Sequence, residues 1–288
     1  STDFLPVVSM SQNILPFVWR ELWRYGFSLR TLKLILLRTT QTLSFRRAEG
    51  VIFLTSFARQ VVLQVTGPLS GESMVIPHGL NPRFLIPDAD MAKRNPPKKS
   101  ESIRLIYVSI IDQYKHQWHV IEGVAKARRA SGLDLQLELI GPSYAPALKR
   151  LNTVITEQDP HNEWVRYHGA INYQRLHSFY NEANIGIWAS SCETFGLILL
   201  EMMGSGLPVL SSDFGPMTEI LGDIGLYFDP ESPESLSDAV LELLTSEERM
   251  TAIARAAHRK AKAFSWEKCA VESFRFLRQV AEMHRHAR

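Results

Sequence analysis

From residue 103 onward the chain alternates short apolar runs with longer amphipathic ones, and this alternation limits the fold more than any other feature. Runs of Ile, Leu and Val bounded by Gly, Pro and Ser predict strands over 103–109, 135–140, 164–168, 185–188, 208–211 and 226–228. Between them, helical spacing predicts helices over 118–131, 145–157, 172–182, 195–205 and 216–221. Parallel strands need crossovers of helix length, so this order predicts an α/β fold with a parallel sheet covered by helices on both faces. Three further helical segments, 233–245, 247–263 and 266–286, close the chain.

The first third reads differently. The strand-like FLPVVSM starting at residue 4 has no partner strand before it, and the Leu-, Trp- and Arg-rich segment 17–48 predicts helix. Strands at 50–55 and 73–77 flank a short helix. This pattern reads as the later part of an α/β domain whose opening portion is absent. Residues 88–102, with Pro96-Pro97 and Lys98-Lys99, are polar and rich in breakers, and predict an inter-domain linker. The resulting division is a partial N-terminal domain over 1–87, a C-terminal domain over 103–265, and a terminal helix over 266–288 that packs back on the first domain.

Composition is ordinary for a globular protein: 45% hydrophobic, 22% charged, formal net charge +2. That balance makes no case for a nucleic-acid partner. Two cysteines, Cys192 and Cys269, and the lack of an apolar leader predict a reducing, cytoplasmic setting. No apolar run approaches the roughly 20 residues that span a bilayer.

Chemistry concentrates in S-S-C-E-T-F-G-L-I-L-L-E-M-M-G-S-G-L-P, from Ser190 to Pro208. A polar turn carrying Glu193 joins a predicted strand to an apolar helix carrying Glu201. Open α/β sheets bind ligands at the carboxyl ends of strands, where a helix N-terminus suits a phosphate. Carboxylates beside a phosphate make sense when they face hydroxyls, so the pattern predicts a ligand with an anionic middle and hydroxyl-rich ends, such as a nucleotide sugar. If helical throughout, the eight-residue step would rise about 12 Å, roughly a sugar-to-ribose span. The alternative is that Glu193 caps the helix and Glu201 is solvated. Its neighbours Leu199, Leu200, Met202 and Met203 argue against that for Glu201.

Lys115 follows the predicted strand 103–109 and could neutralise a diphosphate; otherwise it is an ordinary loop lysine. Gly141, Gly169, Gly204, Gly206 and Gly215 stand near strand ends, but none forms a G-x-G-x-x-G or P-loop motif. Asp88-Ala89-Asp90 imitates a D-x-D metal motif yet lies in the predicted linker, where a solvated turn is expected. His116 and His119 have ligand-like spacing without further ligands, which predicts a surface histidine at a helix start and no metal. Within 17–48, seven Lys or Arg (Arg20, Arg24, Arg30, Lys33, Arg38, Arg46, Arg47) face one acid, Glu21, with Trp19, Trp23, Tyr25 and Phe27 interleaved. Two readings stand: a surface for anionic lipid, giving peripheral attachment at the inner face of a membrane, or helices packed on the domain core with arginines in water.

Together these features resemble the retaining glycosyltransferases of family 4, which have the GT-B fold. The resemblance rests on V-I-P-H-G-L-N-P-R-F at 75–84 and on E-x7-E at Glu193 and Glu201, followed by M-x-x-G-x-P-V at 203–209. It extends to G-x-x-x-E at 215–219, G-L-Y-F-D-P at 225–230 and F-S-W at 264–266. It implies two Rossmann-like domains and a UDP- or GDP-sugar held by the C-terminal one. Lys115 would meet the diphosphate and Glu201 the ribose. Glu193, Thr194, Phe195, Gly196 and Leu197 would serve the donor sugar and phosphate, and His168 and Gly169 would border the base. The reaction implied is metal-independent transfer with retention to a saccharide or lipid-linked acceptor, in surface polysaccharide or glycolipid synthesis, with no cofactor. Three departures matter. Ser109 and Ile110 stand where the family often has an arginine, and Gln12 stands where it often has a histidine. The opening of the usual N-terminal domain, where the acceptor site is largely built, has no counterpart. The competing readings are a donor-binding fragment without transfer activity and another GT-B enzyme, an epimerase or a phosphorylase.

Overall fold

A computed structural model describes residues 5–98 and 100–286. Phe4 of the expected first strand, Lys99 of the expected linker and the last two residues of the expected terminal helix lie outside the described residues. The chain forms two compact units. The first comprises Ser1–Gly79, Cys192–Gly196 and Phe264–Arg288; the second comprises Leu80–Ser191 and Leu197–Ala263.

In the first unit β1 (Val8–Ser11), β2 (Gly50–Phe53) and β3 (Glu72–Val75) form a parallel sheet in that order. Two helices, α1 (Trp19–Leu22) and α2 (Leu29–Arg47), separate β1 from β2, and α3 (Ser56–Thr66) crosses from β2 to β3. The helix expected over 17–48 is therefore interrupted. Ser28 starts α2 as an N-cap, its hydroxyl accepting the Thr31 amide at 3.2 Å.

The second unit opens with α4 (Asp88–Lys93), inside the stretch expected to be a linker. Met91 of α4 is buried, and Arg94 just beyond it donates to the carbonyls of Ser205 (3.1 Å), Tyr180 (3.1 Å) and Ala183 (2.5 Å). The first half of 88–102 is thus packed structure of the second unit. Its polar composition misleads because the arginine is spent on main-chain carbonyls rather than on solvent.

The remaining elements follow in strict alternation: β4 (Ile103–Val108), α5 (Gln117–Ser131), β5 (Leu135–Ile140), α6 (Ala145–Gln158), β6 (Val165–Tyr167), α7 (Leu176–Glu182), β7 (Ile185–Trp188), α8 (Leu197–Gly204), β8 (Val209–Ser212), α9 (Met217–Leu221) and β9 (Leu226–Phe228). They end in α10 (Pro233–Leu243), α11 (Glu247–Ala261) and α12 (Trp266–His286). The sheet order is β6-β5-β4-β7-β8-β9, with every pairing parallel. Both β7 and β8 are buried along their full length, as a sheet covered on both faces requires. Ahead of β6, the Asp159 carboxylate accepts the amides of Glu163 (2.9 Å), Trp164 (2.9 Å) and Val165 (2.8 Å). Helix α12 belongs with the first unit, where Cys269, Phe276 and Val280 pack with Ile52 and Ile76.

Candidate active site

Strand order decides where the second unit can bind a ligand. The chain winds outward from β4 through β5 to β6, then returns to place β7 on the other side of β4. At β4 and β7 the winding reverses, and the carboxyl ends of strands at such a reversal are the usual ligand position in open α/β sheets. Lys115 follows β4, and the residues from Ser190 follow β7.

Lys115 ends a short 3-10 turn, Gln113–Lys115, which Asp112 caps by accepting the Gln113 amide at 2.7 Å. The Tyr107 hydroxyl holds the Lys115 carbonyl at 2.7 Å. The lysine is only 5% exposed, and its Nζ lies 4.5 Å from the centre of the Trp188 ring and 5.0 Å from that of Tyr114. Lysines are seldom buried, and stacking on two aromatic faces keeps this ammonium in place and partly desolvated. The ordinary-loop reading of Lys115 does not describe this environment. The β7 side is tied to the same turn: the Ser191 amide donates to the Tyr114 carbonyl at 2.9 Å, and Ser191 Oγ lies 2.8 Å from His116 Nε2. His116 is fully buried and packs parallel to His119, with ring centres 5.5 Å apart. The expected surface histidine is therefore a buried one that fixes the Lys115 turn.

Glu201 lies on α8 and is 1% exposed. Tyr173 Oη donates to its Oε1 at 2.9 Å and Tyr180 Oη to its Oε2 at 3.2 Å. Burial raises the Glu201 carboxyl to about 7 against the pull of the two hydroxyls, so the group changes charge near neutrality. Tyr173 is pushed up to about 12, by burial first and then by the neighbouring carboxylate. Tyr180 is fully buried, whereas Tyr173 is 45% exposed. No sequence signal paired either tyrosine with Glu201. Both follow β6 on the opposite side of β4, and only the sheet order brings them to α8.

On the other side of β4 lie the ends of β5 and β6. His168 is hydrogen-bonded to Glu138 and packs edge-on against Phe179 with ring centres 5.1 Å apart. The Gly169 carbonyl accepts the Gly141 amide at 2.9 Å. A side chain at Gly141 would put its Cβ 2.0 Å from the Ser109 carbonyl oxygen, so the close approach of these strand ends requires glycine there. Ser109, at the position where an arginine was expected, is itself buried and accepts the Gln117 side-chain amide at 2.7 Å.

The turn before α8 is grouped with the first unit. There Thr194 Oγ1 donates to the Gln12 carbonyl (3.1 Å), and the Thr194 carbonyl accepts from Thr55 Oγ1 (2.8 Å). Phe195 is buried edge-on against Phe264 and His78, with ring centres 5.8 and 5.7 Å away. The Thr194 and Phe195 side chains therefore serve packing. Glu193 is half-buried. Gly196 adopts a φ of 95°, which halts helical geometry, and α8 starts at Leu197 rather than at 195. The step from Glu193 to Glu201 is thus part turn, part helix, and the 12 Å helical rise does not apply to it. Asp88, expected in a solvated turn, opens α4 and pairs with Lys262.

The family model described as glycosyl transferases group 1 matches residues 88–260, more than half of the chain. The chain belongs to that family. Among curated members it is similar to the O-antigen chain mannosyltransferase B of Escherichia coli, at 34% identity over 41% of this chain and 31% of that protein. It is also similar to the D-inositol 3-phosphate glycosyltransferase of Corynebacterium urealyticum, at 30% identity over 38% of this chain and 26% of that one. The chain thus spans about a third or less of the length of these relatives. Solved structures share its fold: a sucrose-phosphate synthase from Thermosynechococcus elongatus superposes with a TM-score of 0.79 at 22% identity, over 98% of this chain and 69% of that one. Anabaena HepE, solved in complex with UDP and glucose, gives 0.75 at 18% identity, over 95% and 72%. The fold is GT-B, with parallel sheets in both units. Among the described residues no helix is long and apolar enough to cross a membrane.

Proposed function

We propose that this chain binds a nucleotide-diphosphate sugar and transfers the sugar, with retention, to a saccharide or lipid-linked acceptor in surface polysaccharide or glycolipid synthesis, as enzymes of family 4 do. The observation that carries the proposal is the pair of buried ionisable groups beyond the ends of the neighbouring strands β4 and β7: Lys115, 5% exposed, and Glu201, 1% exposed. Buried ionisable groups at strand ends of an open α/β sheet are candidates for a functional site.

In this reading the Lys115 ammonium and the amides opening α8 receive the diphosphate. Glu201 accepts ribose hydroxyls. Tyr173, the solvent-facing partner, gives up its hydrogen bond to make room, while the buried Tyr180 holds the other carboxylate oxygen. Glu193 and the 194–196 main chain serve the donor sugar, and His168 with Gly169 borders the base. The bond from the anomeric carbon to the phosphate oxygen breaks through an oxocarbenium-like transition state. The acceptor oxygen bonds to that carbon from the same face and passes its proton to the departing phosphate. Catalysis rests on stabilising the charge that grows on the leaving diphosphate, a role for Lys115 in place of a metal ion. That UDP accompanies HepE in its structure supports UDP as the first nucleotide to try.

Calorimetric titration with UDP and GDP tests the site. Binding of one of them that is lost in Glu201→Ala is the expected result; binding of neither, or binding unchanged in that variant, overturns it. A second reading, donor binding without transfer, is favoured by Ser109, whose buried hydroxyl occupies the place of a phosphate-binding cation. Transfer from a labelled nucleotide sugar to a cell extract eliminates that reading.

A further inference from the structure

The first unit carries a surface that donor chemistry does not use. On α2 the buried residues are Thr31, Leu34 and Phe45. At 3.6 residues per turn these lie on one side, and Leu29, Leu32, Leu36 and Leu43 fall within about 60° of one another on the opposite side. Those four leucines are exposed, Leu29 at 86%. A surface helix normally places polar residues there. The stripe is preceded by an aromatic ladder: Trp19 stacks on Trp23 with ring centres 6.4 Å apart, and Phe27 meets Trp23 at 5.6 Å. Phe27 is 100% exposed and the two tryptophans are about half exposed.

Every charged residue of α2 itself is basic, although Glu49 and Glu72 lie near Arg47 at its C-terminal end. Lys33 and Arg47 are exposed and lie no more than about 40° from the edges of the leucine stripe, in positions that suit snorkelling, while Arg46 is held by the Thr66 carbonyl at 2.6 Å. The one acid between residues 17 and 48, Glu21, is buried and bonded to Arg24 at 2.6 Å, so it contributes nothing to the surface. Apolar and aromatic side chains rimmed by lysine and arginine are what an anionic lipid interface receives: rings and leucines enter the acyl boundary while cations meet headgroup phosphates. Two copies joined through this face would instead set cation against cation.

We infer that the aromatic ladder 19–27 and the Leu29–Leu32–Leu36–Leu43 stripe of α2 form a docking surface for an anionic lipid bilayer. The inference does not depend on the donor-binding proposal. The test is flotation of the whole chain with phosphatidylcholine vesicles, with and without phosphatidylglycerol. Phosphatidylglycerol vesicles should carry the chain at least about tenfold better than phosphatidylcholine alone, with the difference shrinking as salt is raised. Phe27→Asp should lower partition about tenfold with an unchanged circular dichroism spectrum, since Phe27 makes no core contact. Lys33→Glu, likewise on the surface, should weaken binding to the anionic vesicles alone. Absence of flotation, equal binding to the two vesicles, or a monomer–dimer equilibrium that Phe27→Asp abolishes without lipid would each overturn the inference. UDP titration of the same samples is unaffected by any of these outcomes.

Discussion

Helix α8 in the second unit and helix α2 in the first both depart from the usual amphipathic pattern, in opposite senses. In α8 a carboxylate is turned inward among leucines and methionines and is held by two tyrosine hydroxyls. In α2 leucines are turned outward among lysines and arginines. Neither arrangement helps the fold. A buried carboxyl costs desolvation energy, and an exposed leucine gives up its burial term. Under the two proposals made for these helices, an inward charge suits a small polar ligand, and outward leucines suit an extended apolar surface.

The comparison can be broken at several points. Lys115→Ala should reduce transfer about 10²–10³-fold in kcat, the size of one lost oxyanion-type contact, with the thermal transition little changed. A large loss of stability instead would mean that Lys115 is a packing residue. Glu201 should next reveal itself through pH. Its folded value of about 7 lies above the unfolded value of 4.5, so its contribution to stability is full below about 4.5 and is lost as pH rises through about 7. Denaturant midpoints measured across that window should fall by the equivalent of roughly 2–3 kcal/mol, and Glu201→Gln should flatten this part of the profile. Tyr180→Phe, removing one buried hydroxyl donor, should cost about 1 kcal/mol and raise the Glu201 value further. The smallest effect belongs to α2: Leu32→Gln should change stability by no more than about 0.5 kcal/mol. A cost several times larger would mean that the stripe is packed rather than exposed, and the contrast with α8 would disappear.

The alternation of strands and helices from residue 103 was readable because parallel strands buried on both faces must be continuously apolar and must be joined by helices. Glu201 stood out for the same reason, as a charge among apolar neighbours. What could not be read was anything set by sheet order. Tyr173 and Tyr180 meet Glu201 only because β7 lies beside β4 on the side away from β5. Arg94 was hidden in a stretch whose composition reads as linker, and its three carbonyl partners are 86–111 residues away in sequence. His116 reads as a surface histidine until the turn around Lys115 closes over it. The break inside 17–48 was marked locally by Gly26 and the capping Ser28, a signal that the overall richness in leucine and arginine conceals.

The return of α12 to β2 bears on how the chain is made. The core of the first unit needs Cys269, Phe276 and Val280, which leave the ribosome more than two hundred residues after Ile52. The second unit, whose helices and strands follow one another directly, can mature before α12 is made, whereas the core of the first must wait, open, until α12 emerges. Cutting the chain ahead of α12 would therefore leave the sheet of the first unit exposed to proteases while sparing that of the second.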